Sequence, residues 1–123
     1  MILDHCRDIE ELHHLYVTRP MRNQYEWNWL INNPYLFCFY AEEGQKELRG
    51  YITVQDEEGE LTLSGAAVRK NMADNINAII KVCEAFKQDM YSYTTSKPAK
   101  ICLLKAGFKH IKDDKYIRRY VNG

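Results

Sequence analysis

A chain of 123 residues in which 17 Lys and Arg offset 17 Asp and Glu carries no formal charge, so no global field draws it to nucleic acid or to an anionic membrane. This length implies one domain over residues 1–123, with one core that buries roughly two-thirds of the unfolded surface and needs no staple. Cys6, Cys38, Cys83 and Cys102 stand far apart without a Cys-x-x-Cys pair and read as reduced residues of a cytoplasmic protein, and no leader or apolar stretch of ~18 residues predicts secretion or membrane spanning.

Asp4 or Asp8 can cap a first helix, and Asp8 with Glu11 has capping-box spacing. Ile9, Leu12, Leu15 and Tyr16 make its apolar stripe, which ends before Pro20. A second helix is predicted over Arg22 to Ile31, with Tyr25 and Trp29 at i, i+4, and Asn33-Pro34 stops it. Tyr35 to Tyr40 is apolar throughout, rich in aromatic residues and too short for a core helix, so it reads as a central strand buried on both faces. After a polar run around Gly44, Glu47 to Gln55 reads as a strand with Leu48, Ile52 and Val54 on one face and Arg49, Tyr51 and Thr53 on the other. A turn at Asp56 to Gly59 leads to a third strand, Glu60 to Ser64, which completes an antiparallel meander.

Past Gly65 the period changes. Met72, Ile76, Ile79, Ile80 and Cys83 recur at helical spacing to about Gln88, the longest predicted helix. Met90 to Thr94 alternates as a strand and runs into Ser96 to Phe108. There Ser96 is the N-cap, its hydroxyl free to accept from a first-turn amide, and Pro98 is tolerated. Ala99, Cys102, Leu103 and Ala106 share one apolar face, Lys97, Lys100 and Lys105 reach water, and Gly107 ends the helix in the left-handed conformation. Phe108 to Ile111 and Tyr116 to Val121 read as two last strands around Asp113-Asp114, the final one an edge able to pair between subunits in a homodimer.

The stretch Ser96 to Phe108 resembles the last conserved block of the GCN5-related N-acetyltransferases (GNAT), Asn-x-x-Ala-x-x-x-Tyr-x-x-x-Gly-Phe. Ser96 stands at the Asn position and Leu103 at the Tyr, while Ala99, Gly107 and Phe108 match. The predicted order α-α-β-β-β-α-β-α-β-β is that of a GNAT domain whose first strand is lost or shortened. The fold class implied is α/β (α+β), a mixed, mostly antiparallel sheet flanked by helices. The long helix should form a right-handed crossover that sets residues 60–64 and 90–94 side by side and parallel at their start. Small size and early helices look most like the short GNAT-like proteins of tailed phages and prophages.

In that family acetyl-coenzyme A (acetyl-CoA) enters where these two strands splay apart. The resemblance therefore implies an acetyl-CoA-binding acyltransferase acting on an amine. Leu63, Ser64, Gly65 and Ala66 would hold the pantetheine arm, Ser96 its far side, and Arg69, Lys70, Asn71 and Met72 the pyrophosphate. The family's phosphate loop, Arg/Gln-x-x-Gly-x-Gly/Ala, fits neither register of Ala66 to Asn75. Started at Arg69 it finds Met72 and Asp74; started at Asn71 it finds Asp74 and Ile76. A first-turn Asp74 occupies the helix dipole that a pyrophosphate would use. Leu103 cannot move a proton, so Tyr93 is the substitute general acid and Glu60 the candidate base. The alternative is a non-catalytic GNAT-like phage protein that binds a protein or other ligand on this degenerate site.

Cys6, Glu10 and His13 lie at i, i+4, i+7 but lack a fourth ligand, so no metal is expected. Arg118 and Arg119 alternate across a strand, and nothing interleaves aromatic with basic residues, so no nucleic-acid surface is expected.

Overall fold

The computed structural model describes residues 2–4, 9–18, 27–40, 47–67 and 72–121. The chain opens with a three-residue strand, β1 (Ile2–Asp4), ahead of the helices α1 (Ile9–Thr18) and α2 (Trp27–Asn32). A first strand is thus present, and the expected order beginning α-α is corrected by it. Then come β2 (Leu36–Tyr40), β3 (Leu48–Glu57), β4 (Glu60–Ala67), α3 (Met72–Phe86), β5 (Met90–Tyr93), α4 (Lys97–Lys105), β6 (Lys109–Lys112) and β7 (Lys115–Arg118).

The strands form one seven-stranded sheet of order β1-β2-β3-β4-β5-β7-β6. Every neighbouring pair is antiparallel except β4 and β5, which are parallel. Two expectations change here. The aromatic strand β2 lies next to an edge, and β4 takes the centre. The last strand, β7, is enclosed between β5 and β6, so β6 is the edge.

Each sheet face has its own apolar cluster. Ile52, Val54 and Leu63 join Ala78, Val82 and Cys83 of α3 and Leu103 of α4, with Met90, Ala106, Phe108 and Tyr116. On the other face Leu12 and Leu15 of α1 and Leu30 of α2 pack on Leu36, Cys38, Tyr40, Leu48 and Tyr51. Leu48 therefore does not share a face with Ile52 and Val54. The register slips between Phe39 and Tyr40, so that Tyr40 opposes Leu48 while Phe39 opposes Gly50, and the residue inserted at Arg49 turns Leu48 over. Simple alternation cannot foresee one extra residue.

The end of α4 follows local chemistry closely. Phe108 N–H donates to the Leu103 carbonyl at 3.0 Å and Gly107 N–H to Leu104 at 3.2 Å, the two bonds of a Schellman motif, with Gly107 at φ 98°. Ser96 has the extended backbone of an N-cap, but its side chain makes no cap bond, which corrects the role expected of its hydroxyl. Cys83 and Cys102 are free and buried, whereas Cys38 is disulfide-bonded, so the expectation of four reduced cysteines fails at Cys38. No helix among the described residues is long and apolar enough to cross a membrane.

Candidate active site

Parallel strands β4 and β5 share a single register pair, Thr62 with Tyr91. One residue further, Ser92 Oγ donates to the Leu63 carbonyl oxygen at 2.8 Å, so a side chain takes the place of the next ladder bond. Beyond this pin the strands part. A cavity of about 370 Å³ opens between the rest of β4 and the segment from Ser92 to Ser96, within the range of small-molecule sites. Backbone amides and carbonyls on that edge of β4 have no ladder partner in β5, and such groups are strong hydrogen-bonding sites for a ligand.

Leu63, Ser64, Gly65 and Ala66 form the β4 wall, Met72 stands at the α3 end, and Ser96 lines the cavity where α4 begins. Arg69, Lys70 and Asn71 lie outside the described residues. The wall depends on Gly65. A Cβ there would come within 2.1 Å of the Tyr51 carbonyl oxygen, because β3 and β4 approach closely at this point. Cys102 Sγ lies 3.9 Å from Met72 Sδ and joins α4 to α3 beside the cavity; burial pushes its thiol pKa up, against the opposing pull of Lys105.

The chain, whose strands β4 and β5 start parallel and open into a pocket, superposes over nearly its whole length on solved structures. Tetrahymena GCN5 matches with TM-score 0.66 at 12% identity, covering 98% of this chain and 97% of that one. An aminoglycoside 6'-N-acetyltransferase complexed with coenzyme A matches with TM-score 0.68 at 16% identity, covering 100% and 99%. N-acetylglutamate synthase from Neisseria gonorrhoeae, complexed with coenzyme A and N-acetyl-glutamate, matches with TM-score 0.66 at 12% identity over 99% of this chain and 36% of its own. The fold is the GNAT fold. No protein-family model matches the chain, and no curated protein is significantly similar to it in sequence.

Within the GNAT fold, two departures anticipated from sequence acquire geometry. Leu103 is 4% exposed and belongs to the core as well as to the cavity wall, so its position supplies shape and no proton. Asp74, in the first turn of α3, is buried and meets Arg49 Nε at 3.9 Å, a contact made available by the bulge in β3. Arg49 answers this carboxylate, which does not line the cavity. The negative charge that seemed to bar an anion is thus partly neutralised and turned away.

Tyr93 and Glu60 come together. Tyr93 lines the cavity, and its hydroxyl donates to Glu60 Oε1 at 3.3 Å. The other oxygen, Oε2, accepts from Lys115 Nζ at 2.9 Å. The Lys115 ammonium lies 4.9 Å from the Tyr91 ring centroid and 5.8 Å from that of Tyr93, so the cation also rests on two aromatic faces. Its pKa is raised, chiefly by the hydrogen bond to Glu60. Sequence reasoning missed Lys115 and Ser92. Neither carries a motif, and only the placement of β7 beside β5 and the parting of β4 from β5 gives them their partners. Among the described residues no three His, Cys, Asp or Glu side chains converge on a metal-sized site, and Cys6 lies outside them.

Proposed function

We propose that this chain is an N-acetyltransferase that holds acetyl-CoA in the cleft between β4 and β5 and passes the acetyl group to an amine. The observation that carries the reading is the parting of two parallel strands past one register pair, with a cavity between them and an acid–base pair beside it. In this reading the unpaired backbone of Leu63 to Ala66 binds the amides of the pantetheine arm, and Ser96, whose hydroxyl is not spent on capping, binds its far side. Met72, with Arg69, Lys70 and Asn71, receives the pyrophosphate, aided by the amides and dipole of the α3 N-terminus. Bound acetyl-CoA supplies a thioester carbonyl open to attack.

The residues then handle protons. Glu60 accepts the proton lost by the attacking amine, and Tyr93 gives its own to the departing sulfur. Their shared hydrogen bond lets the proton on Glu60 return to Tyr93, which leaves both groups as they began. Lys115 fixes the carboxylate for this exchange. The assay is thiol release from acetyl-CoA in the presence of a polyamine, an aminosugar and a lysine-containing peptide. Amine-dependent release that disappears in Glu60→Gln supports the proposal; coenzyme A binding without release from any amine contradicts it.

That second outcome defines the alternative, a non-catalytic GNAT-fold protein of phage or prophage type that binds a ligand or a protein. Leu103 at the family's tyrosine position favours it.

A further inference from the structure

The proposed chemistry leaves one end of the molecule unused, the outer side of α4 together with the edge strand β6. Neutral overall, the chain is strongly polarised along its sequence. From Lys97 onward eight Lys and Arg stand against two Asp, while the preceding residues carry nine against fifteen Asp and Glu. Lys115, Arg118 and Arg119 each have a carboxylate partner, namely Glu60, Glu84 and Asp89. Lys97, Lys100, Lys105, Lys109 and Lys112 are exposed, and among the described residues none of them forms an ion pair. Leu104 and Ile111, 44% and 47% exposed, lie among them.

Among the described residues strand β6 is outermost with β7 its one neighbour, and all four of its residues are exposed, so its outer backbone groups are open to pairing. Helix α4 packs beside it. Self-pairing through this edge would set Lys109 and Lys112 of two copies against each other, and like charges across a strand pair destabilise it. Lysines on an edge also repel apolar and basic strands. The same charges attract an acidic one, so they choose a partner by repulsion as well as attraction.

We propose that β6 and the flank of α4 form a docking edge for an acidic, extended segment of a partner protein. The segment adds an eighth strand outside β6, its backbone pairs with the open edge, and its carboxylates meet the unpaired lysines. Leu104 and Ile111 offer it apolar contact, which a nucleic-acid backbone would not use. This surface is separate from the cleft and does not depend on acetyl transfer.

The test is fluorescence anisotropy of the full chain with a labelled peptide of about ten residues in which Glu alternates with Val and Thr. Saturable binding is expected, weakening as salt rises and falling about tenfold in the double variant Lys109→Glu, Lys112→Glu, whose fold is checked by circular dichroism. N-methylation of alternate peptide amides, measured on the unaltered chain, is expected to abolish binding because it removes the strand bonds. No binding of the peptide, binding indifferent to N-methylation, or equally tight binding of a DNA duplex would each overturn the proposal.

Discussion

Tyr93 and Glu60 are separated by 33 positions, yet the sheet delivers one hydroxyl to the other's carboxylate. Tyr93→Phe keeps the ring that lines the cavity and deletes the hydroxyl. Its kcat is expected to fall about a hundredfold while coenzyme A affinity, measured by calorimetry, stays unchanged. A loss of affinity instead would make Tyr93 a packing residue. At the pin between the strands, Ser92→Ala leaves the buried Leu63 carbonyl without its donor, and urea unfolding should show a loss of about 1 to 3 kcal/mol. These roles were unevenly legible. Tyr93 was legible as a stand-in for the acid that Leu103 cannot be, and Glu60 as a candidate base on its own strand, roles that the proposal retains. Lys115 and Ser92 were not, since a lysine beside a turn and a serine between two tyrosines look like any strand surface until their neighbours are known.

Among the elements, α4 was the most readable because its information is local. Pro98, Gly107 and Phe108 each answer a requirement of the helix terminus within a few residues, although the Ser96 hydroxyl makes no cap bond. Gly107 holds φ 98°, and a Cβ there would lie 3.3 Å from Arg118 Nε, which itself donates to the Ala106 carbonyl at 2.9 Å. Gly107→Ala is therefore expected to lower the unfolding free energy by about 1 to 2 kcal/mol, with the change seen as a lower urea midpoint at constant slope. Strand β3 was legible in position and, from Tyr51 to Val54, in face, but not at Leu48. Its bulge at Arg49 answers to pairing with β2, a long-range fact, and it redirects Leu48 to one core while freeing Arg49 for Asp74. The extension of β4 through Gly65 to Ala67 escaped for a related reason. Small residues give no alternation signal, and their pairing with Ile52, Tyr51 and Gly50 is what makes them strand.

At the scale of the molecule, the order of elements after β1 was recoverable from the sequence, because a change of period from two to 3.6 and back is visible without coordinates, and the single parallel junction followed from the crossover that order requires. Burial across the whole core also sets an alkaline limit. The Cys83 thiol is pushed up to about 12, mainly by burial, while the unfolded chain releases that proton near its ordinary value of 9.0. A raised native pKa contributes stability that is intact below the unfolded value and is lost as pH climbs toward the native one. Unfolding free energy should therefore decline above about pH 9, by up to about 1.4 kcal/mol per pH unit from this group, and urea titrations across that range test the slope. The raised Lys115 acts in the same direction, above its ordinary 10.5.

The central claim, a coenzyme A site made by two strands that part, is most directly tested by following backbone amide resonances as coenzyme A is added. The account predicts saturable shifts confined to Leu63 to Ala67, the start of α3, and Ser92 to Cys102, with the distant hairpin turn at Glu58 and Gly59 unmoved. No shift at millimolar ligand, or shifts centred away from the β4 and β5 walls, would contradict it.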